Sequence, residues 1–264
     1  MKSLKNGFLI MLGMFTRIPV RVPEWSEENL RYSLPLLPAA GVLAGILSLL
    51  WLAAAEAVRL PLPVRGAGLV FIPLLLTGGI HLDGYADTAD AVACWGDAEK
   101  RRRVLKDPHI GAFAAIQTAA FLIGWYALCL SLIEQLPGPV PAACVLGGTF
   151  CLGRAFSALA LIHAKQSARP GLGAEFSKPS GGAGPLVLLL FWCALGAALL
   201  SPAGVAAAAA IACGAAACLF CRRRADRLFG CFSGDLAGHA ICVTEIAMLF
   251  GLVVSLSILM KGTV

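Results

Sequence analysis

Three aspartates in the segment Gly78–Ala91 are spaced so that they could act together. Asp83, Asp87 and Asp90 lie four and then three residues apart. On an α-helix, which turns about 100° per residue, all three fall within an arc of roughly 60° on one face. Their neighbours are glycine, alanine and threonine, whose small side chains let other helices approach closely. The pattern therefore predicts a helix that presents three converging carboxylates.

Converging carboxylates repel one another. These three also follow an apolar run at 66–76, and removing their charges from water beside it would be costly. A bound divalent cation is the simplest compensation. Mg²⁺ suits the site best because it takes oxygen ligands, keeps several waters and bridges to substrate phosphates. We therefore predict a Mg²⁺ site with Asp83, Asp87 and Asp90 as ligands. The alternative is a solvated helix end with three ordinary acids.

The composition is that of a membrane protein. Hydrophobic residues make up 59% of the 264 residues and charged residues only 14%, whereas soluble domains have about 25% charged residues. The length allows about seven membrane spans of roughly 20 residues and leaves no room for a separate soluble domain. We therefore expect one integral-membrane domain over 1–264, with an all-α fold that forms a polytopic bundle of about seven transmembrane helices.

Apolar segments along the chain locate these spans. The second is short and contains Pro73, so the aspartate helix is expected to continue it with a kink. At the N-terminus, Lys2 and Lys5 precede a short apolar run, which predicts an interfacial amphipathic helix rather than a cleaved signal peptide. The predicted spans are 35–58, 66–82, 111–133, 139–162, 185–200, 203–221 and 236–260.

The basic residues are divided unequally between the two sides of this bundle. With the N-terminus inside, the inner loops hold 17 Lys and Arg residues and the outer segments hold three. Such an excess is typical of the cytoplasmic side. We therefore expect a cytoplasmic N-terminus, with the aspartates toward the cytoplasmic face. The net charge of +6 then reflects topology, and no nucleic-acid partner is expected.

Further polar residues fall on the same side. Asp107 could be another metal ligand, the N-cap of the third span with Pro108 at the first helical position, or both at once. Arg154, within the fourth span, is expected to recognise phosphate or to pair with one of the aspartates, because an intramembrane Arg usually has a partner or a function. Arg169 lies in a glycine-rich loop, where it could bind a phosphate.

The last span opens with three more candidates. Asp235 is a candidate N-cap of that span, and His239 could act as a general base or form a hydrogen bond within the bundle. Glu245 lies deeper, where a structural or proton-handling role is expected. The basic runs at 101–103 and 222–224 could attract a polyphosphate or orient the protein against anionic lipid.

Carboxylates for a metal and basic side chains for phosphate thus gather at one membrane face, which favours phosphoryl transfer. The sequence contains no P-loop, no G-x-S-x-G elbow and no H-E-x-x-H motif, which argues against a soluble nucleotide hydrolase.

Several motifs, in order along the chain, resemble those of the cobalamin synthase family, the adenosylcobinamide-GDP ribazoletransferases. The resemblance covers nearly the whole chain, and the aspartate motif is its most specific part. The chain departs from the family pattern at Tyr85, His109 and 231–232, so no role is carried over to His109. The motifs are F-T-R-I-P at 15–19, G-I-H-L-D-G-Y-A-D-T-A-D at 79–90, K-D-P-H-I-G-A-F at 106–113, G-R at 153–154, A-R-P-G-L-G at 168–173, and S-G-D through T-E at 233–245.

The resemblance implies an enzyme of the bacterial inner membrane whose active face is cytoplasmic. A hydroxyl of α-ribazole, or of its 5′-phosphate, would attack the cobinamide-side phosphorus of adenosylcobinamide-GDP, and GMP would leave. Membrane lipid would surround the bundle, and the sequence leaves association into a homo-oligomer open. Asp83, Asp87 or Asp235 would accept the proton of the attacking hydroxyl. The side chains expected to bind the substrate are Arg17, Lys106, Arg154 and Arg169.

Two other functions are less consistent with the sequence. A CDP-alcohol phosphotransferase would carry D-G-x-x-A-R, but here Ala86 comes one position early and Asp87 follows it. A cation-coupled transporter would favour acids at mid-bilayer depth and an inverted repeat. Here the acids cluster toward one face and no repeat is found.

Overall fold

A computed structural model describes residues 2–164 and 172–261, and every regular element within these residues is helical. This confirms the predicted all-α bundle. The helices are α1 (Lys2–Phe15), α2 (Glu27–Leu30), α3 (Leu37–Ala57), α4 (Leu62–Thr77), α5 (Ile80–Ala93), α6 (Ala98–Val104), α7 (Ala112–Gln135), α8 (Pro139–Ile162), α9 (Leu172–Ser177), α10 (Ala183–Leu199), α11 (Ala206–Phe229) and α12 (Gly234–Lys261), with a 3-10 helix at Ser201–Ala203.

Within the described residues, five helices are long and apolar enough to cross a membrane, namely α3, α7, α8, α11 and α12. Helices α4 and α5 are long and apolar enough to cross a membrane only if they are taken together, and the chain bends by 93° between them. Helix α10 is apolar but has only 17 residues, about 26 Å at 1.5 Å per residue. Each predicted span falls on an apolar helix or on the bent pair, so the chain is a membrane protein. Of the seven spans, the described residues support five, or six if the bent pair counts as one, and α10 is too short.

Helix α8 is the centre of the bundle. Of its most apolar stretch, 78% is buried inside the protein, compared with 17% for α7. Helices α3, α10, α11 and α12 all pack against α8. A helix in this position contacts protein on most sides, so a charged residue within it must find its partner inside the bundle.

Helix α1 corresponds to the predicted interfacial helix. Its 14 residues extend about 21 Å, less than the hydrocarbon thickness of roughly 30 Å. Ile10, Met11 and Leu12 are buried, whereas Leu4 and Phe8, nearer the start of the helix, are exposed. A helix that is too short to span the membrane and leaves apolar side chains exposed is suited to lie along the membrane surface.

A sharp break separates α4 from α5. Pro73 does not end the helix, because α4 continues to Thr77. The chain turns at Gly78 and Gly79, whose φ angles of 65° and 81° are adopted readily by glycine and rarely by other residues. The predicted kink is therefore a complete break, and α5 runs nearly perpendicular to α4.

Helix α5 crosses the first turns of α12 at very short range. A Cβ atom added to Gly84 would lie 2.6 Å from the carbonyl oxygen of Asp235. One added to Gly238 would lie 3.3 Å from the carbonyl oxygen of His81. Side chains at these two glycines would push the helices apart. The two glycines therefore permit the backbone contact that brings Asp235 beside the aspartates of α5.

We predict that Gly84→Ala moves α5 away from α12, because the added methyl group meets backbone rather than a flexible side chain. The free energy of unfolding should fall by about 1–3 kcal/mol, measured by thermal unfolding in detergent. Gly124→Ala on α7 is the control, since its Cβ would meet only Cδ1 of Ile246 at 3.6 Å, an ordinary contact. Equal stability of the two variants would contradict the close approach.

Candidate functional site

Helix α5 carries the three aspartates that the sequence predicts as metal ligands. Asp83 is exposed to solvent, whereas Asp87 and Asp90 are half-buried. The helix covers all three positions, so the predicted shared face is present. The break before α5 and the crossing with α12 together set the direction in which that face points.

A fourth carboxylate, Asp235, lies in the first turn of α12 and is half-buried. The negative charge of Asp87 is repelled by those of Asp83, Asp235 and Asp90. Lys106 lies near enough to attract Asp235. One end of the bundle therefore holds four interacting carboxylates, which come from two helices, and one ammonium group from the segment before α7.

Asp90 has a second function that the sequence analysis missed. Its Oδ2 accepts a hydrogen bond from the backbone N–H of Gly111 at 2.6 Å, and its Oδ1 accepts one from that of Ala114 at 2.9 Å. Both N–H groups lie at the start of α7, where backbone N–H groups have no acceptor within the helix. A ligand role for Asp90 stays a prediction, but both of its oxygens already accept backbone hydrogen bonds.

Asp235 is not the N-cap of its helix, as one interpretation of the sequence had it. Helix α12 begins at Gly234, so Asp235 is inside the first turn. The hydroxyl of Ser233 accepts the hydrogen bond from the backbone N–H of Leu236 at 3.4 Å. Because a neighbouring hydroxyl is placed to bond the helix end, the carboxylate of Asp235 is free to face α5.

Asp107 is likewise not the N-cap of the third span, because α7 begins at Ala112 and its N-cap is Gly111. The carboxylate of Asp107 instead accepts hydrogen bonds from the backbone N–H of His109 at 3.0 Å and from its ring Nδ1 at 2.8 Å. The hydrogen bond from the His109 backbone, reinforced by the ring, lowers the pKa of this carboxyl below its usual value. Asp107 is exposed, and its predicted role as a metal ligand stays a prediction.

Two arginines of the first basic run bind helix ends. Nη1 of Arg101 donates to the carbonyl oxygens of Ala91 at 3.2 Å and Val92 at 2.6 Å, at the end of α5. Nη1 of Arg102 donates to the carbonyl oxygen of Phe229 at 2.5 Å, at the end of α11. Basic side chains are favourable at helix C-termini. Binding to helix ends differs from both roles predicted for this run, which were attraction of a polyphosphate and orientation against anionic lipid.

The remaining basic residues of the predicted site differ in their surroundings. Arg17 is exposed, and a Cβ atom on Gly78 would lie 2.6 Å from its Nε, so Arg17 packs over the break before α5. Its backbone N–H also donates to the carbonyl oxygen of Leu76 at 2.7 Å. Lys106 is exposed as well. Arg169 lies outside the described residues.

Arg154 pairs with Glu245 and not with an aspartate. Its Nη1 donates to Oε1 of Glu245 at 2.5 Å and to the carbonyl oxygen of Phe150 at 3.0 Å. Arg154 is 1% exposed and Glu245 is 6% exposed. Each charge thus compensates the other inside the bundle, where either alone would be costly. Phosphate recognition by Arg154 stays a prediction, whereas one of the two functions expected for Glu245, the structural one, is present.

A cavity of about 40 Å³ lies beside this ion pair. Its lining includes His81 and Trp125 together with Arg154 and Glu245. Most of its lining is apolar, and a cavity of this size is much too small for a nucleotide. The aspartates of α5 are not among its lining residues, so the buried pair and the carboxylate site are distinct places in the bundle.

His239 packs against an aromatic side chain. Its ring stacks on that of Tyr85, with ring centroids 5.2 Å apart and an angle of 17° between the planes. The Tyr85 ring also contacts that of Phe121 at 5.0 Å. These contacts favour a packing role for His239 over that of a general base, and they give Tyr85, a departure from the family pattern, a place in the core between α5, α7 and α12.

The acids at this end of the bundle supply the oxygen ligands that Mg²⁺ prefers. Their mutual repulsion is the kind that a cation relieves, so the donor set fits the metal. Within 2–164 and 172–261, no three His, Cys, Asp or Glu side chains already form a metal-binding group. Binding would therefore need the side chains of α5 and α12 to turn toward a common ion.

Comparison with known proteins gives a consistent result. A family model described as cobalamin-5-phosphate synthase matches residues 7–253. Proteins named adenosylcobinamide-GDP ribazoletransferase are similar over most of their length. That of Lachnoclostridium phytofermentans is 29% identical, covering 98% of this chain and 97% of its own. That of Geobacillus kaustophilus is 31% identical, covering 91% of this chain and 92% of its own. That of Pseudomonas fluorescens is 33% identical, covering 93% of this chain and 98% of its own. No solved structure matches the chain.

We predict that Glu245→Gln destabilises the protein strongly, because it leaves Arg154 buried without a counter-charge. The loss should be about 3–5 kcal/mol, measured by thermal unfolding in detergent. The double variant Arg154→Met with Glu245→Leu removes both charges and should recover most of that loss.

The matched control is Asp226→Asn, which breaks the more exposed pair of Asp226 with Arg222 on α11 (3.4 Å). A partly exposed pair contributes about 0–1 kcal/mol, so this variant should unfold almost like the wild type. A loss from Glu245→Gln no larger than that of the control would show that the buried pair is dispensable.

Proposed function

The chain belongs to the cobalamin-5-phosphate synthase family, and from that premise we propose that it is an adenosylcobinamide-GDP ribazoletransferase, like the relatives it is similar to. It joins adenosylcobinamide-GDP to α-ribazole, or to the 5′-phosphate of α-ribazole, and completes the nucleotide loop of cobalamin. The observation that carries this proposal is the family match over 7–253, which includes α5 and its acids.

The reaction is a phosphoryl transfer in which one P–O bond replaces another. A hydroxyl oxygen of the ribazole attacks the cobinamide-side phosphorus of the pyrophosphate. The bond from that phosphorus to the bridging oxygen breaks, and GMP leaves with the bridging oxygen. The hydroxyl proton passes to a carboxylate of the protein. Positioning and charge neutralisation provide most of the rate in such transfers.

The residues that would hold Mg²⁺ are Asp83 and Asp87 from α5 and Asp235 from α12, because their charges interact and they come from the two crossing helices. When bound, Mg²⁺ neutralises the pyrophosphate and stabilises the leaving GMP. Both oxygens of Asp90 and Oδ1 of Asp107 already accept backbone hydrogen bonds, so the proposed set starts from the other three acids, and a ligand role for these two stays a prediction.

Proton transfer and phosphate binding fall to the remaining groups at this end of the bundle. A carboxylate oxygen of Asp83, Asp87 or Asp235 that does not contact the metal accepts the proton of the attacking hydroxyl. Lys106, whose charge acts on Asp235, neutralises phosphate oxygens. Arg17 is exposed over the break before α5 and is the second phosphate-binding group from the described residues.

The protein lies in the bacterial inner membrane with this end of the bundle in the cytoplasm, where nucleotides are available. The 17 basic residues of the predicted inner loops support this orientation. Exposed apolar side chains along the long helices, such as Phe71, Ile123 and Phe250, are suited to contact with lipid.

Asp83→Ala should reduce transfer by about a hundredfold or more, because it removes an oxygen that holds the metal or takes the proton. The assay is release of GMP from adenosylcobinamide-GDP and α-ribazole by the purified protein in lipid vesicles with Mg²⁺. Glu134→Ala is the control, since Glu134 is exposed near the end of α7, away from α5. Chelation of Mg²⁺ should stop the reaction, and added Mg²⁺ should restore it. Substantial activity of folded Asp83→Ala protein would refute the assignment.

The orientation can be measured by fusing alkaline phosphatase, which is active only outside the cytoplasm, to truncated chains. A fusion after Leu60, which follows α3, should be active because the chain has crossed once. A fusion after Lys106, which follows α6, should be inactive because α4 has returned to the cytoplasmic side. The reverse pattern would place the aspartates outside the cytoplasm and would refute the proposed location.

A further inference from the structure

We infer that Asp90 is a positioning residue, which fixes the direction of α5 by capping the N-terminus of α7. This inference rests on the proposed function, because it concerns how Asp83 and Asp87 are held for the reaction. The oxygens of Asp90 accept hydrogen bonds from the backbone N–H groups of Gly111 (2.6 Å) and Ala114 (2.9 Å). A single carboxylate thus ties the last turn of α5 to the first turn of α7, at least 21 residues farther along the chain.

Helix α7 has no side-chain cap of its own. Its N-cap residue, Gly111, has φ −92° and ψ 170° and makes no side-chain capping bond. The first N–H groups of a helix lack partners within it, and a carboxylate there also interacts favourably with the helix dipole. A Cβ atom on Gly111 would lie 2.6 Å from Oδ1 of Asp90. The glycine therefore leaves the space that the carboxylate of Asp90 fills.

A second contact holds the same end of α5. Nη1 of Arg101 donates to the carbonyl oxygens of Ala91 and Val92, directly after Asp90. The last turn of α5 is therefore held through a carboxylate that accepts from α7 and through carbonyl groups that accept from α6. These are hydrogen bonds between a charged and a neutral group, which are among the stronger ones.

The position of α5 matters for the reaction because its acids must face Asp235 on α12. Asp87 lies less than one helical turn before Asp90, so a shift at the end of α5 moves Asp87 directly. Misplacement of a reacting group by about 1 Å can cost up to a hundredfold in rate. Asp90 therefore acts on the rate through the geometry of Asp83 and Asp87, and not as a metal ligand.

The test exchanges the cap between two positions. Asp90→Ala removes the cap of α7. Gly111→Ser alone places its Cβ against the carboxylate of Asp90 and should also impair the protein. In the double variant the space is free, and the new hydroxyl sits at the N-cap in an extended conformation, where serine caps well. A neutral hydroxyl cannot replace a carboxylate that binds a metal, so rescue by Gly111→Ser separates the two roles.

Asp90→Ala should lower kcat by roughly tenfold to a hundredfold, with a much smaller change in KM. The double variant should recover kcat to within about threefold of the wild type, because the lost contact is replaced. Amides of the first turn of α7 should exchange hydrogen faster in Asp90→Ala and return to the wild-type rate in the double variant. The affinity for Mn²⁺, measured by electron paramagnetic resonance without substrate, should fall in Asp90→Ala only as far as Asp83 and Asp87 are misplaced, and it should return to the wild-type value in the double variant.

A double variant no more active than Asp90→Ala would overturn the inference. So would a loss of Mn²⁺ affinity in Asp90→Ala that Gly111→Ser does not restore. Glu99→Gln, which removes an exposed acid of α6, is the control and should leave every measurement unchanged. If Asp90→Ala does not fold, Asp90→Asn, which keeps one acceptor oxygen, should show the same pattern with smaller changes.

Hydrogen exchange and Mn²⁺ binding need no substrate, so they report on Asp90 even if the proposed function fails. A wild-type protein that transfers nothing from adenosylcobinamide-GDP would refute the proposed reaction. Exchange rates at the start of α7 that are the same in the wild type and Asp90→Ala would refute the cap itself.

Discussion

The break at Gly78 and Gly79 is the constraint on which the candidate site depends. A straight continuation of α4 would carry the aspartates of α5 along a further 14 residues, about 21 Å past the end of the span. The 93° bend instead turns α5 across the bundle, where α12 supplies Asp235 and the segment before α7 supplies Lys106. The acids meet these partners only because two consecutive residues adopt a backbone conformation that glycine tolerates.

Charged side chains at this end of the protein either bind helix ends or are available to bind substrate. Arg101 and Arg102 donate to the carbonyl ends of α5 and α11, and Asp90 accepts from the amide end of α7. A helix end near the membrane surface has unpaired backbone groups that are costly to leave unbonded. Such charges resemble substrate-binding groups in a sequence because both uses place ionised residues in the same loops. Only their contacts separate the residues that hold the scaffold from those that, within 2–164 and 172–261, bond no helix end, such as Asp83 and Lys106.

Sequence periodicity and hydropathy predicted what depends on neighbouring residues, and the family resemblance was confirmed by the match over 7–253. The spans and the shared face of Asp83 and Asp87 follow from local patterns. The partners of Asp90 and Arg154 do not, because they lie 21 and 91 residues away. Asp107 illustrates the converse error. Asp followed by Pro is a strong local signal for a helix start, but α7 begins at Ala112, and Asp90, far off in sequence, accepts hydrogen bonds from its first N–H groups.

The two groups of acids differ in what compensates them, and this difference bears on mechanism. Glu245 is neutralised permanently by Arg154 inside the bundle, so that charge needs nothing from a substrate. Four carboxylates of α5 and α12 interact near one Lys, and their excess negative charge would repel a pyrophosphate. An anionic substrate can then bind beside them only if cations enter with it. On the proposed mechanism, the acids that hold Mg²⁺ thus make substrate binding depend on the metal, and the dependence arises from the crossing of α5 with α12.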